Sequence, residues 1–321
     1  MTQEAIHQVL ELKRAGRFDA AVIELESLLI AEPRNALALA HLAHCQLRRN
    51  RLDDALAELD KSESAGGVTS FTARLRGDAL YRLGRHADAA RAYDEADALG
   101  DRSAWVLLQL ARCHLRARRL DDARASATRA LEREPGSAPA WAVLGDIAAR
   151  SDDPTQAEKH YEHAHELDPD DQYAYARLME ARLLRLEPAD REQEVKVLLR
   201  SGEGKNPYLS GVLARVRHEL GDEAGAAAAW RTSQRPGNDL FGRKQEGYAL
   251  RRAERFDEAA GVFLECLLKD PHDRVLFQTY VGMQRKRRAL DDLRAGLEEL
   301  LPVAGSRRGA VFGELRKLRS V

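Results

Sequence analysis

Disulfide chemistry is the first thing this sequence does without. Its 321 residues carry three cysteines, Cys45, Cys113 and Cys266, spaced too widely for a cross-linked framework or a metal-ligand motif. An excess of one charge is missing too. Lysine and arginine number 51 against 52 aspartates and glutamates, whereas a nucleic-acid binder usually shows a basic surplus. No apolar run approaches the length that crosses a membrane. The opening Met1-Thr2-Gln3-Glu4 lacks the basic and apolar regions of a signal peptide, so the cytoplasm is the expected compartment.

Catalytic motifs are also absent: there is no nucleophile elbow and no zinc-protease helix. Gly204-Lys205 invites a phosphate-loop reading that fails, since Leu199 stands where the first glycine is needed and Asn206 replaces the magnesium-binding hydroxyl. Histidines gather twice, as His7, His41 and His44 and as His160, His163 and His165. A polar groove or a solvated face accounts for both groups better than a metal site does. The chain is therefore expected to be no enzyme and to carry no cofactor or metal.

What is present is a period of thirty-four residues. Aligned from Ala36, Ser70, Ala104 and Ala138, a small residue recurs at the eighth position as Ala43, Gly77, Ala111 and Gly145. The twentieth position is Ala55, Ala89, Ala123 and Ala157, and the twenty-seventh is Ser62, Ala96, Ala130 and Ala164. Pro33, Pro135 and Pro169 close three of the repeats, and Cys45 and Cys113 share the tenth position as small core residues. Small residues at a helix crossing let two amphipathic helices approach, and one such pair cannot bury its apolar face without neighbours. Apolar residues at 44% supply that core, and 32% charged residues suit an elongated, solvated body.

This pattern resembles the tetratricopeptide repeat family from end to end. The resemblance implies an all-α, right-handed superhelical solenoid of tandem helix-turn-helix repeats, with the first helix of each repeat (helix A) lining the concave surface. Repeats one to five occupy 1–171. A degenerate sixth, 172–206, has Arg191 in place of alanine and ends in the turn-rich 201–207, which reads as a longer connection or as a hinge at 202–206. Repeats seven to nine follow in 207–302, and 303–321 holds a capping helix with Val311, Phe312, Leu315 and Leu318 on one side.

Family register also selects candidate binding residues. The second position of helix A carries Phe71, Trp105, Tyr173, Tyr208 and Phe241, either a line of groove aromatics or ordinary packing between repeats. The ninth position carries His44, Asp78, Arg112, Asp146, Glu180, Arg215 and Tyr248. Arg112 is expected to pair sideways with Asp78 and Asp146 across helices about 8–10 Å apart. Arg74, Arg177 and Lys244 add donors and suit acidic residues or a terminal carboxylate. The clamp by which some family members grip chaperone C-termini is missing, because Ile6, Leu10, His41, Phe71 and Leu75 hold its positions. Arginines closing the A helices and aspartates opening the next ones match helix dipoles. The resemblance thus implies a non-catalytic scaffold that binds a protein or peptide. Charge balance and hydropathy leave neither nucleic acid nor membrane as an expected partner, and the chain is expected to be monomeric on its own. Alternatives are a regulatory or targeting subunit for a separate transferase-like enzyme and a self-assembling solenoid.

Overall fold

Helices that cross at alanine or glycine bring their backbones close, and the repeats starting at Ala36, Ser70, Ala104 and Ala138 each place such a crossing. The computed structural model describes residues 2–200, 206–233 and 239–318, and these form nineteen α-helices and no strand. The chain divides into two compact blocks, Met1–Asp168 and Pro169–Val321. The first holds α1 (Thr2–Arg14), α2 (Phe18–Ala31), α3 (Ala36–Arg48), α4 (Leu52–Gly66), α5 (Ser70–Arg82), α6 (His86–Ala98), α7 (Ala104–Arg116), α8 (Leu120–Arg133), α9 (Ala138–Arg150) and α10 (Pro154–Leu167). The second holds α11 (Gln172–Arg185), α12 (Pro188–Arg200), α13 (Pro207–Glu219), α14 (Glu223–Thr232), α15 (Asp239–Arg252), α16 (Phe256–Lys269), α17 (Arg274–Lys286), α18 (Leu290–Leu300) and α19 (Arg308–Leu318). Odd-numbered helices up to α17 are the A helices, and α3, α5, α7 and α9 begin at the residues where the repeat register begins. The fold is all-α, built of paired helix-turn-helix repeats.

The small positions sit where the helices touch. Ala55, Ala89, Ala123 and Ala157 are buried. A Cβ added to Gly77 would lie 2.6 Å from the Tyr93 ring, one on Gly145 2.5 Å from Tyr161, and one on Gly247 2.5 Å from Phe263. Where the twenty-fourth position is smaller, as with Leu59 and Ala127, the eighth is alanine, Ala43 and Ala111, and these residues share one core cluster per pair. Glycine with a ring and alanine with leucine have nearly the same combined volume, so these two kinds of pair fill the same space; Ala111 with Ala127 is smaller.

Eight of the nine A-to-B turns use a left-handed residue at the fifteenth position. Gly16, Asn50, Gly84, Arg118, Asp152, Gly221, Glu254 and Arg288 occupy it, with φ between 58° and 81°. This conformation lets the next amide reach back to the helix end, as Arg17 does to the Leu12 carbonyl and Arg51 to that of Gln46, both at 2.9 Å. Arginines at A-helix ends tie consecutive repeats together in the same way. Arg82 donates to the Leu47 carbonyl at 2.6 Å and Arg150 to the Leu115 carbonyl at 2.5 Å. Arg49 pairs with Asp19 at 2.8 Å and Arg287 with Asp257 at 2.7 Å.

Repeat six departs from this scheme for a physical reason. Its turn runs through Leu186, which is extended at φ −81° and ψ 147°, and Pro188 confines Glu187 to extended backbone as well. The left-handed turn is not made, so carbonyls ending α11 need another donor. Arg191 supplies it, donating to the Leu183 and Leu186 carbonyls, each at 3.0 Å, and reaching Glu219 at 3.1 Å. The residue that breaks the alanine pattern is the one that replaces the missing turn.

At the C-terminal side, α19 buries Val311 and Leu318 with Leu315 partly covered. Phe312 is 59% exposed, against the expectation that it joins them. The stripe through 311, 315 and 318 leaves residue 312 off its edge. All three cysteines are free and buried, and burial pushes the Cys113 thiol up to about 12 and Cys266 to about 11. Among the described residues no helix is long and apolar enough to cross a membrane. Residues 201–205, which contain Gly204-Lys205 and most of the expected hinge, lie outside the described residues.

Restoring the family alanine should therefore harm the protein. Arg191→Ala is expected to lower the free energy of unfolding by about 1–3 kcal/mol, the range for lost charge-assisted hydrogen bonds and stranded carbonyls. Urea denaturation followed by circular dichroism checks this; an unchanged or raised midpoint would contradict it.

Candidate binding surface on the A helices

In the first block, neighbouring A helices pack side by side, α3 on α5 and α7 on α9. Phe71, near the start of α5, is half-buried within a basic group. The rings of His41 and His44 lie 5.5 and 6.5 Å from it, Lys13 stands 5.8 Å above it, and the Arg74 guanidinium lies at 5.6 Å. Lys13 Nζ donates to His41 Nδ1 at 3.0 Å, and Arg74 faces Asp101 at 3.8 Å. Burial, and then the charge on Lys13, hold both histidines at about 4 and so neutral near pH 7. Burial lowers Lys13 as well. His7 is exposed, and no group of three or more metal-binding side chains stands together among the described residues.

Trp105 begins α7 with 43% of its surface exposed while its ring edge meets Tyr93 at 6.0 Å. Gln109, with its amide oxygen turned toward them, accepts from Trp105 Nε1 at 3.3 Å and Arg112 Nη1 at 3.2 Å. The expected sideways pairing of Arg112 with Asp78 and Asp146 does not occur. Both carboxylates are taken from below: the Tyr93 hydroxyl donates to Asp78 and the Tyr161 hydroxyl to Asp146, each at 2.7 Å. The tyrosine comes from the B helix of the same repeat, where glycine at the eighth position admits its ring. Burial raises Asp78 to about 6, opposed by the Tyr93 hydrogen bond and by Arg74. His160 and His163 pack on Trp141, with ring centres 5.6 and 4.5 Å away.

The second block does form a sideways pair. Glu180 of α11 accepts from Arg215 of α13 and from Arg177 on its own helix. Beside it, Tyr173 and Tyr208 meet edge to face at 5.6 Å across the same two helices. On α15, Phe241 is 53% exposed and touches Trp230 at 5.9 Å. Lys244 is held by Asp273 at 2.7 Å and Asp270 at 3.2 Å, and Tyr248 packs on Phe263 at 5.2 Å. The aromatics thus divide. Trp105 and Phe241 each rest one edge on the preceding B helix and offer another to solvent, whereas Phe71, Tyr173 and Tyr208 contact neighbouring A helices.

Known proteins can now be compared with this geometry. The sequence matches the tetratricopeptide repeat over residues 80–147 and 138–171, and the tetratricopeptide repeat-like domain over residues 11–112. Together these matches run from 11 to 171, about half of the chain. The chain belongs to the tetratricopeptide repeat family. A tetratricopeptide repeat protein from Parabacteroides merdae shares the fold with a TM-score of 0.63 at 14% identity, covering 77% of this chain and 98% of its own. YrrB, described as having an unusual peptide-binding site, is 19% identical with a TM-score of 0.49, over 53% of this chain and 88% of its own. MamA is 21% identical with a TM-score of 0.46, over 50% of this chain and 93% of its own. No curated protein matches. At these identities the likeness concerns the fold alone.

Two features of this tetratricopeptide surface escaped the repeat register. Lys13 sits at the twelfth position of repeat one, outside both the aromatic and the charged series. The tyrosines that hold Asp78 and Asp146 stand fifteen residues downstream in each case, on the other helix. A recurring Gly-Asp at positions eight and nine with tyrosine at twenty-four was the signal that could have found them.

Asp78 gives a test with a definite sign. Its folded pKa lies above the usual 3.8, so its contribution is complete below that value and is lost as pH rises through about 6. Wild type compared with Asp78→Asn should lose relative stability between about pH 4 and pH 6 and show no further change above pH 7. Urea midpoints of both proteins across that range check it; a difference independent of pH would contradict the burial of a costly carboxylate.

Proposed function

We propose that this tetratricopeptide repeat protein is a non-catalytic scaffold whose A-helix faces bind a segment of a partner protein carrying acidic residues. In the first block the contact residues are Phe71, Arg74, Trp105 and Arg112. In the second they are Tyr173, Arg177, Tyr208 and Arg215, continued by Phe241, Lys244 and Tyr248. The observation that carries this reading is the pair Trp105 and Phe241, large rings 43% and 53% exposed at the same register position. Half-anchored aromatics lose little entropy on binding and are the residues that most often dominate protein interfaces. Arg112, which shares Gln109 with Trp105, and the Arg215 side chain, 45% exposed beyond its pair with Glu180, would supply charge-assisted hydrogen bonds to carboxylates.

A variant carrying Trp105→Ala, Arg112→Ala, Tyr208→Ala and Arg215→Ala, with helical content unchanged by circular dichroism, tests the reading. A partner captured by the wild-type chain from native-source lysate should bind the variant at least about tenfold more weakly. Equal capture by both would place binding elsewhere.

A further inference from the structure

Repeat nine departs from the ninth-position series with Gly282, where a Cβ would meet nothing within 4 Å. Glycine inside a helix costs roughly 1 kcal/mol relative to alanine, and no neighbour here requires it. Its effect is open space. On one side of Gly282 a cavity of about 580 Å³ reaches toward α15 and α16, with Phe256 and Met283 as apolar lining and Arg251, Lys286 and Arg287 as cations. On the other, a cavity of about 540 Å³ lies between α17 and α19, floored by Phe277 and Val281. Its charged lining is Arg274, Arg285, Arg307, Lys317 and Glu314. Gln278 and Gly282 line both. Gly313, across the second cavity on α19, is equally unopposed.

Seven cations and one carboxylate line the two spaces. Glu314 is taken by Arg285 at 2.6 Å and Lys317 at 2.7 Å, and Arg287 by Asp257 at 2.7 Å. Arg274, Lys286 and Arg307 make no ion pair among the described residues, and Arg251 lies over the Tyr248 ring at 5.7 Å without one. Lys244 and Arg177, by contrast, are each held by carboxylates. Apolar floors under unpaired cations complement carboxylates flanking a bulky apolar side chain.

We propose that Gly282 is the saddle of a two-pocket receptor, in the last repeat, for an acidic segment of a partner protein. An aromatic or large aliphatic side chain of that segment enters the cavity of Phe256 and Met283. Its carboxylates pair with Lys286 at that cavity and, across Gly282, with Arg274 and Arg307. This rests on the reading that A-helix faces bind protein, and adds where and what.

A random peptide library displayed on phage, selected on the full chain, tests it. Enriched peptides, resynthesised with a fluorescent label, are titrated by anisotropy against wild type, Gly282→Trp, and Arg274→Glu with Arg307→Glu. The expected result is aspartate and glutamate around an aromatic or large aliphatic residue, with affinity about tenfold or more weaker for both variants and falling with salt. Gly282→Trp has room to fold, and its helicity is checked; if it unfolds, the charge-reversed pair decides. No enrichment, enrichment of peptides without acidic residues, or equal affinity for the folded variants would overturn the proposal. So would a single-stranded oligonucleotide binding there in place of peptide. Peptides sensitive to Trp105→Ala and Tyr208→Ala but indifferent to Gly282→Trp would overturn it while leaving the broader scaffold reading standing.

Discussion

Everything in this molecule depends on how closely helix A and helix B of one repeat can cross. The eighth and twenty-fourth positions fill that gap jointly. Gly77 with Tyr93, Gly145 with Tyr161 and Gly247 with Phe263 leave no room for another carbon, and Ala43 with Leu59 divides the same volume differently. Interiors at crystal-like density tolerate neither a void nor an extra methyl there. With the crossing set, the second-position residues such as Trp105 and Phe241 stand clear of their own helix B and meet the preceding one instead.

The crossing also decides which polar groups are free. A ring admitted by glycine carries its hydroxyl up through the pair to the ninth position, and so Asp78 and Asp146 are bound from within their own repeats. Charges that look in sequence like a ladder for a ligand are partly spent on the fold. Glu180 is shared by Arg177 and Arg215, and Lys244 is held by two aspartates. What stays most open is narrower: the exposed edges of Trp105 and Phe241, the outer part of Arg215 beyond its pair with Glu180, and the unpaired cations around Gly282.

Much of this was legible before any coordinates. The thirty-four-residue period, the alanine crossings and the helix starts at Ala36, Ser70, Ala104 and Ala138 all follow from small residues recurring at fixed intervals. Less legible were features in which the backbone, not the side chain, recurs. The left-handed fifteenth position is filled by glycine, asparagine, arginine, aspartate and glutamate alike, so residue identity hides it. Arg191 read as decay of the repeat because its function depends on a turn that Pro188 has already changed. The site was harder still. Position numbers say which face a residue occupies, but not that a tyrosine from the opposite helix has claimed a carboxylate or that Arg112 turns to Gln109.

A double-mutant cycle at Gly247 and Phe263 tests the crossing most directly, because no hydroxyl complicates that pair. Gly247→Ala alone should destabilise by about 1–3 kcal/mol through overpacking, despite alanine's better helix propensity. Phe263→Leu alone should also destabilise, by leaving space. Combined, they recreate the Ala43–Leu59 pair, so the double variant should be more stable than the sum of the two losses predicts by about 1 kcal/mol or more. Simple additivity of the two changes in urea denaturation would mean that the crossing is not set by this shared volume.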